Sequence, residues 1–91
     1  GGFAMDSVRT TFGKRLRFLR LRKGFSLRSL AATAGVSYSY LSKLENGKAK
    51  CLPKLDKIRS ISEAVDIPTS ELLNAAGMLP LDFDAALRSH E

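Results

Sequence analysis

The sequence predicts an all-α fold in one small domain. Apolar residues recur at the three- and four-residue spacing of amphipathic helices, and no segment shows the strict alternation that is typical of a strand. Glycine, proline and serine interrupt the chain at short intervals, which indicates short connections between helices. A chain of 91 residues has room for one hydrophobic core, and 44% hydrophobic residues is an ordinary globular composition.

The first helix is expected over about residues 8–22, where four apolar side chains fall on one face. These side chains belong to Val8, Phe12, Leu16 and Leu19. Thr10 or Thr11 offers an alternative cap for a slightly later start. Lys23 and Gly24 end the helix, since a cation in the last turn and a following glycine are typical stop signals. Residues 1–4 precede Met5 and are interpreted as an expression scar.

Two short helices follow on either side of a glycine. The second is expected over residues 27–34, with Ser26 as its cap and Gly35 as its stop, and the third over about residues 38–46, between Ser37 and Gly47. Ala31 lies four residues before Gly35, where a small side chain lets the next helix approach and where glycine accepts a positive φ. This is the spacing of a helix-turn-helix, whose second helix presents its outer face to the major groove of DNA.

The fourth helix is expected over about residues 53–65, with Pro53 in its first turn. Pro68 precedes a short fifth helix, for which Thr69 or Ser70 is the expected cap and Gly77 the stop. Residues 78–91 are expected to form a C-terminal tail, a possible dimerisation or partner segment. After Pro80 this tail holds enough apolar residues for one or two marginal amphipathic turns, at Leu81, Phe83 and Leu87.

The net charge of +6 is unevenly distributed along the chain. Residues 1–50 carry eleven basic and two acidic residues, whereas residues 51–91 carry four basic and seven acidic ones. A basic first half indicates that one side of the fold faces a polyanion, although a solvated basic helix is an equal alternative on charge alone. Most of the cations of the first helix are assigned to such a solvated face, namely Lys14, Arg15, Arg17 and Arg22.

Other function classes lack the residues they need. One cysteine, Cys51, and one histidine, His90, are too few for a disulfide framework or a common zinc site. No catalytic triad and no glycine-rich phosphate loop is present, so we expect no catalytic residues, no cofactor, no metal and no enzymatic activity. No apolar run approaches the roughly 20 residues of a membrane span. The expected location is the cytoplasm, on the nucleoid.

Residues 24–48, GFSLRSLAATAGVSYSYLSKLENGK, carry a more specific signal. They resemble the DNA-binding domain of the lambdoid phage repressor and Cro family, the Xre-type helix-turn-helix regulators. The resemblance extends over about residues 8–77. It implies a compact five-helix, lambda-repressor-like domain that binds a double-stranded operator sequence as a homodimer and acts as a transcriptional regulator, here expected to be a repressor.

The resemblance also implies roles for individual residues. Base contacts fall on the third helix, at Tyr38, Ser39, Ser42 and Lys43. The resemblance places phosphate contacts at Ser37, Asn46, Lys48 and Lys50. Ser26 is added because a serine at a helix N-terminus favours phosphate oxygens, and Arg28 and Tyr40 are further candidates. Arg20 and Glu45 match a pair that ties the first helix to the end of the third by a salt bridge.

Two features depart from the family pattern. Leu27 stands where relatives often have a phosphate-binding glutamine, so that either Leu27 packs inward or Arg28 supplies the anchor. The loop after Gly47 is about two residues longer than usual.

A second hypothesis for the function is a protein-interaction module that binds a regulatory protein partner through its acidic C-terminal half. A basic membrane-surface helix is a weaker third hypothesis. Tyr40 has two open interpretations, packing on the second helix or reaching a phosphate.

Overall fold

A computed structural model describes the backbone of residues 2–77 and the side chains from Val8 onward. Within this part of the chain there are five helices and no strand, which confirms the all-α, five-helix prediction. The helices are α1 (Gly2–Lys23), α2 (Leu27–Ala34), α3 (Tyr38–Glu45), α4 (Leu55–Ala64) and α5 (Thr69–Ala75). The tail proposed for dimerisation, residues 78–91, lies outside the described residues, and so does Gly1.

α1 begins much earlier than the sequence pattern predicts. It starts at Gly2 instead of near Val8, and Thr10 and Thr11 lie inside the helix, so neither is its cap. Residues 3–11 contain no proline or glycine, so no residue there interrupts a helix that extends toward the N-terminus. The predicted end is correct, because α1 stops at Lys23 and Gly24 has a φ of +85°.

The predicted starts of α4 and α5 are wrong by one or two residues. Pro53 lies before α4 and is buried, and Lys54 is the N-cap without a side-chain cap hydrogen bond. Pro68 is the N-cap of α5, so Thr69 is its first helical residue. The Thr69 hydroxyl is not used as a cap because it forms a hydrogen bond of 3.0 Å with the hydroxyl of the buried Ser62. Tertiary contacts therefore decide both boundaries.

One hydrophobic core joins all five helices. α1 packs against α3 and α5, α2 packs against α3 and α4, and α4 packs against α5. The core holds Phe12, Leu16, Leu19, Leu30, Ala31, Ala34, Leu41, Leu44, Ala49, Ile58, Ile61, Val65, Leu72 and Ala76. α3 is thus held from behind by α1 and α2, which leaves its opposite side at the surface.

Candidate nucleic-acid interface

α3 presents a polar face to solvent. Its N-cap is Ser37, whose hydroxyl accepts a 3.1 Å hydrogen bond from the Tyr40 amide, as expected for a serine at a helix start. Leu41 and Leu44 are buried on the core side. The predicted base-contacting residues are on the other side: Ser42 is half-buried and the rest are exposed, namely Tyr38, Ser39 and Lys43. These four side chains supply hydroxyl donors and acceptors, one cation and one aromatic ring.

The turn between α2 and α3 is fixed by short-range geometry. Gly35 has a φ of +72°, a left-handed conformation that glycine adopts without steric cost. The amides of Gly35 and Val36 both donate to the Ala31 carbonyl, the latter at 3.0 Å. Lys57 of α4 donates to the Gly35 carbonyl at 3.1 Å. The turn therefore holds the two helices in one arrangement.

A buried ion pair ties the end of α3 to α1. The Arg20 guanidinium donates to both carboxylate oxygens of Glu45, with Nε–Oε2 at 2.6 Å and Nη2–Oε1 at 3.0 Å, and its third nitrogen donates to the Phe25 carbonyl at 2.9 Å. The two side chains are only 10% and 5% exposed. This paired, fork-like geometry fixes the orientation of α3 relative to α1.

Gly13 is a packing position behind the site that the sequence pattern did not single out. A Cβ atom there would lie 2.8 Å from the Glu45 carbonyl oxygen and still closer to that of Leu44, so only glycine lets α1 approach the end of α3. The signal was available in the sequence. A glycine within an otherwise regular helical pattern lowers helix propensity and often marks a close approach.

Ser26 and Leu27 begin α2. The Ser26 hydroxyl accepts a 3.0 Å hydrogen bond from the Ser29 amide and donates to the Ser29 hydroxyl at 2.9 Å, so it caps the helix in the free protein. Leu27 is half-buried and packs against the core, so of the two alternatives for this position the inward-packing one is confirmed. Arg28 is exposed, with its guanidinium carbon 5.0 Å from the centroid of the Tyr38 ring.

The loop between α3 and α4 displays two lysines beside α3. Lys48 and Lys50 are exposed, while Ala49 between them is buried in the core. Arg9 of α1 donates to the Lys50 carbonyl at 2.7 Å. The loop backbone is anchored in this way, and both lysines line the same depression as Lys43 of α3.

Like the two cap serines, Tyr40 and Asn46 already form side-chain hydrogen bonds inside the protein. The Tyr40 hydroxyl donates to the Cys51 carbonyl at 3.0 Å, so a phosphate contact there requires this bond to be exchanged. Burial, and secondarily the Cys51 thiol, raise the pKa of the Tyr40 phenol above its ordinary value of 10.0. The Asn46 amide donates to the Ser42 carbonyl at 2.9 Å, which closes the end of α3.

The surface between α3 and this loop forms an open pocket with a strongly positive rim. Its volume is about 360 Å³, and its lining consists of Tyr40, Lys43, Lys48, Ala49, Lys50 and Cys51. Three ammonium groups around one depression create a positive potential that attracts phosphate oxygens. The sequence-predicted lysines are thus brought together in space.

The outer side of α1 carries further positive charge. Arg15 forms an ion pair of 3.2 Å with Glu71 of α5. Phe18 and Leu21 are 52% and 56% exposed, and the guanidinium carbons of Arg15 and Arg22 each lie 5.7 Å from the centroid of the Phe18 ring. These cations make the electrostatic potential around the outer side of α1 more positive.

Metal-binding and membrane-spanning features are not found in the described residues. Between Gly2 and Gly77, no group of three or more histidine, cysteine, aspartate or glutamate side chains is placed to hold a metal ion. None of the helices in that range combines the length and the apolar character that crossing a bilayer requires.

Comparison with known proteins places this arrangement among bacterial regulators. The profile of the helix-turn-helix domain family matches residues 13–78. The HTH-type transcriptional regulator SlrR of Bacillus subtilis is 37% identical over 67 residues, which are 74% of this chain and 43% of SlrR. The HTH-type transcriptional repressor RghR of the same organism is 38% identical over 69 residues, 76% of this chain and 50% of RghR.

Solved structures agree with the sequence relatives. The biofilm master regulator SinR in complex with DNA superposes with a TM-score of 0.63 and 35% identity, covering 68% of this chain and 97% of that one. A SinR–SinI protein complex superposes with a TM-score of 0.64 and 30% identity, covering 87% of this chain and 77% of that one. The chain spans about half the length of the curated relatives that it matches.

Proposed function

The chain belongs to the Xre type of the helix-turn-helix domain family, and from this premise we propose that it regulates transcription by binding a specific double-stranded DNA sequence. In this proposal α3 enters the major groove, where Ser39, Ser42, Lys43 and Tyr38 meet base edges. The observation that carries it is the polar outer face of α3, held by α1 and α2 and bordered by the lysine pocket. The homology to DNA-binding regulators supports it.

The phosphate contacts are assigned to the rim of this surface. Lys48 and Lys50 supply ammonium groups beside α3, and the helix starts at Ser26 and Ser37 supply backbone amides that favour phosphate oxygens. Such contacts carry no sequence information but fix the register of the protein on the duplex. Base selection then rests on α3.

We further propose a repressor that acts as a homodimer in the cytoplasm, on the nucleoid. A single module covers about 600–1,000 Å² of protein surface on DNA, which limits its affinity, whereas a dimer on two half-sites doubles the contact. One relative is named as a repressor, and one related structure is a SinR–SinI protein complex. Light scattering at increasing concentrations tests the dimer: we expect the free protein to reach twice the chain's 9.9 kDa. A constant 9.9 kDa for the free protein, together with one chain per bound operator, refutes it.

The main experiment selects bound duplexes from a random pool and then measures affinity as a function of salt. We expect one enriched sequence, and a log–log slope of affinity against salt of about −0.9 for each neutralised phosphate. Replacing Lys48 or Lys50 with glutamine removes one phosphate contact, so each substitution is expected to lower the magnitude of the slope by about 0.9. Lys14→Gln, on the outer side of α1, is the matched control and leaves the slope unchanged. A pool without any enrichment would contradict sequence-specific binding.

A second function, as a protein-interaction module, is favoured by one observation. Phe18 and Leu21 expose apolar surface between the arginines of α1. Phe18→Ser in the full chain tests this role. A change in oligomeric mass or loss of a bound partner relative to wild type, with DNA affinity unchanged, supports an interaction surface on α1. If Phe18→Ser and wild type have the same oligomeric mass and bind the same partners, this surface is not an interaction site.

A further inference from the structure

We propose that Arg28 is a positioning residue that holds the Tyr38 ring in the orientation in which α3 reads a base pair. The sequence assigned Arg28 to a phosphate, but its guanidinium carbon lies 5.0 Å from the centroid of the Tyr38 ring. That distance is within the range of a cation–π contact. The inference rests on the proposed function, since it assigns a specificity role within the same DNA-binding surface.

Tyr38 needs an external contact to be held in one orientation. It is the first residue of α3 and is 46% exposed, and its hydroxyl forms no hydrogen bond with any residue from Val8 to Gly77. A tyrosine in this position has several accessible rotamers in water. The Arg28 guanidinium over the ring restricts these rotamers, while Tyr38 keeps enough exposed surface to contact the groove.

The surroundings of Arg28 favour the ring as its partner. No carboxylate in the described part of the chain forms an ion pair with Arg28. Arg28 lies in the first turn of α2, which contains no acidic residue, and a cation at this positive end of a helix is electrostatically unfavourable. Within the described residues, the Tyr38 ring is the attractive partner that the geometry gives Arg28.

A ring held in this way is organised for binding before DNA arrives. Ordering an exposed side chain on binding reduces affinity, so a ring already stacked in the free protein contacts the duplex at lower entropic cost. An apolar ring edge contacts the methyl group of thymine, and a phenol hydroxyl donates to a base-edge acceptor. Either contact distinguishes base pairs only while the ring direction is fixed.

The test measures base preference with Arg28→Lys, which keeps the charge but removes the planar stack. Affinities are compared on the selected duplex and on duplexes changed at the base pair where Tyr38→Ala abolishes discrimination. We expect Arg28→Lys to reduce discrimination at that pair by about twofold, the low end for an exposed cation–π contact, because lysine retains part of the attraction, with the salt slope unchanged. In the Tyr38→Ala background the same substitution is expected to have no effect. Arg17→Lys, on the outer side of α1, is the matched control.

Three outcomes separate the inference from the proposed function. If wild-type protein binds selected and scrambled duplexes equally, the proposed function fails, and the inference with it. If Tyr38→Ala loses discrimination while Arg28→Lys keeps it, the proposed function stands and the positioning role is refuted. An equal loss for Arg28→Lys with and without Tyr38 also refutes it, because Arg28 then acts independently of the ring. Equal unfolding midpoints for wild type and Arg28→Lys show that the comparison concerns folded protein.

Discussion

The ion pair between Arg20 and Glu45 provides a strong test of how α3 is held. Glu45→Ala leaves the Arg20 guanidinium in a site where its side chain is only 10% exposed, without the two carboxylate bonds of 2.6 and 3.0 Å. Removing one member of a buried pair costs about 3–5 kcal/mol, because the remaining charge stays desolvated. The total stability of a domain of this size is about 5–14 kcal/mol, so the variant loses a large share of it.

The free energy of unfolding is measured by urea titration with circular dichroism. A loss of about 3 kcal/mol corresponds to a fall in Tm of about 12–24 °C for a domain of this size. The double variant Arg20→Met, Glu45→Met removes both charges, and we expect it to be more stable than Glu45→Ala, since an apolar pair of similar volume replaces the ion pair. The reasoning is refuted if Glu45→Ala costs less than about 1 kcal/mol, the value typical of an exposed pair.

Three further substitutions test local features of the fold. Gly13→Ala places a Cβ against carbonyls at the end of α3, so we expect the free energy of unfolding in urea to fall by about 1–3 kcal/mol despite better helix propensity. The control Thr11→Ala, exposed on the same helix, is expected to be near neutral. A Gly13→Ala variant that is more stable than wild type contradicts the close approach. Ser37→Ala removes the cap of α3 and is expected to cost about 1 kcal/mol in unfolding free energy; no loss means that the cap bond contributes nothing. Tyr40→Phe removes the hydrogen bond to the Cys51 carbonyl. Folding raises the pKa of this phenol, so the contribution of its hydroxyl to the free energy of unfolding is fully present below the ordinary pKa of 10.0. That contribution is lost as the pH rises through the higher pKa of the folded state. Unfolding titrations at increasing pH therefore show the wild-type advantage over Tyr40→Phe shrinking in alkali, and a constant advantage argues against the shift.

Local signals predicted the central part of the fold closely. α2 begins after Ser26 and ends before Gly35, as expected, because a serine hydroxyl and a left-handed glycine act within one turn of the helix that they limit. Ser37 begins α3 for the same reason. The starts of α4 and α5 could not be predicted in this way. The burial of Pro53 depends on the assembled core, and Thr69 bonds to Ser62 on the preceding helix, a contact that requires α4 and α5 to be packed together.

The candidate site was predicted in part. The polar face of α3 follows from helical spacing, because residues opposite Leu41 and Leu44 must face solvent. The contact of Arg28 with Tyr38 could not be predicted, since the spacing between two residues on different helices does not give the distance between their side chains. The partner of Tyr40 was undecidable for the same reason, because it depends on the path of the following loop.

The central claim is that the outer face of α3 reads DNA sequence. It is tested most directly by comparing Lys43→Ala with Lys50→Ala on the selected duplex and on a scrambled duplex of equal length. We predict that Lys43→Ala lowers the preference for the selected duplex by about 1–3 kcal/mol, because one base contact is lost, while Lys50→Ala weakens both duplexes equally. If Lys43→Ala instead weakens both duplexes by the same factor, α3 contributes charge alone and the claim is contradicted.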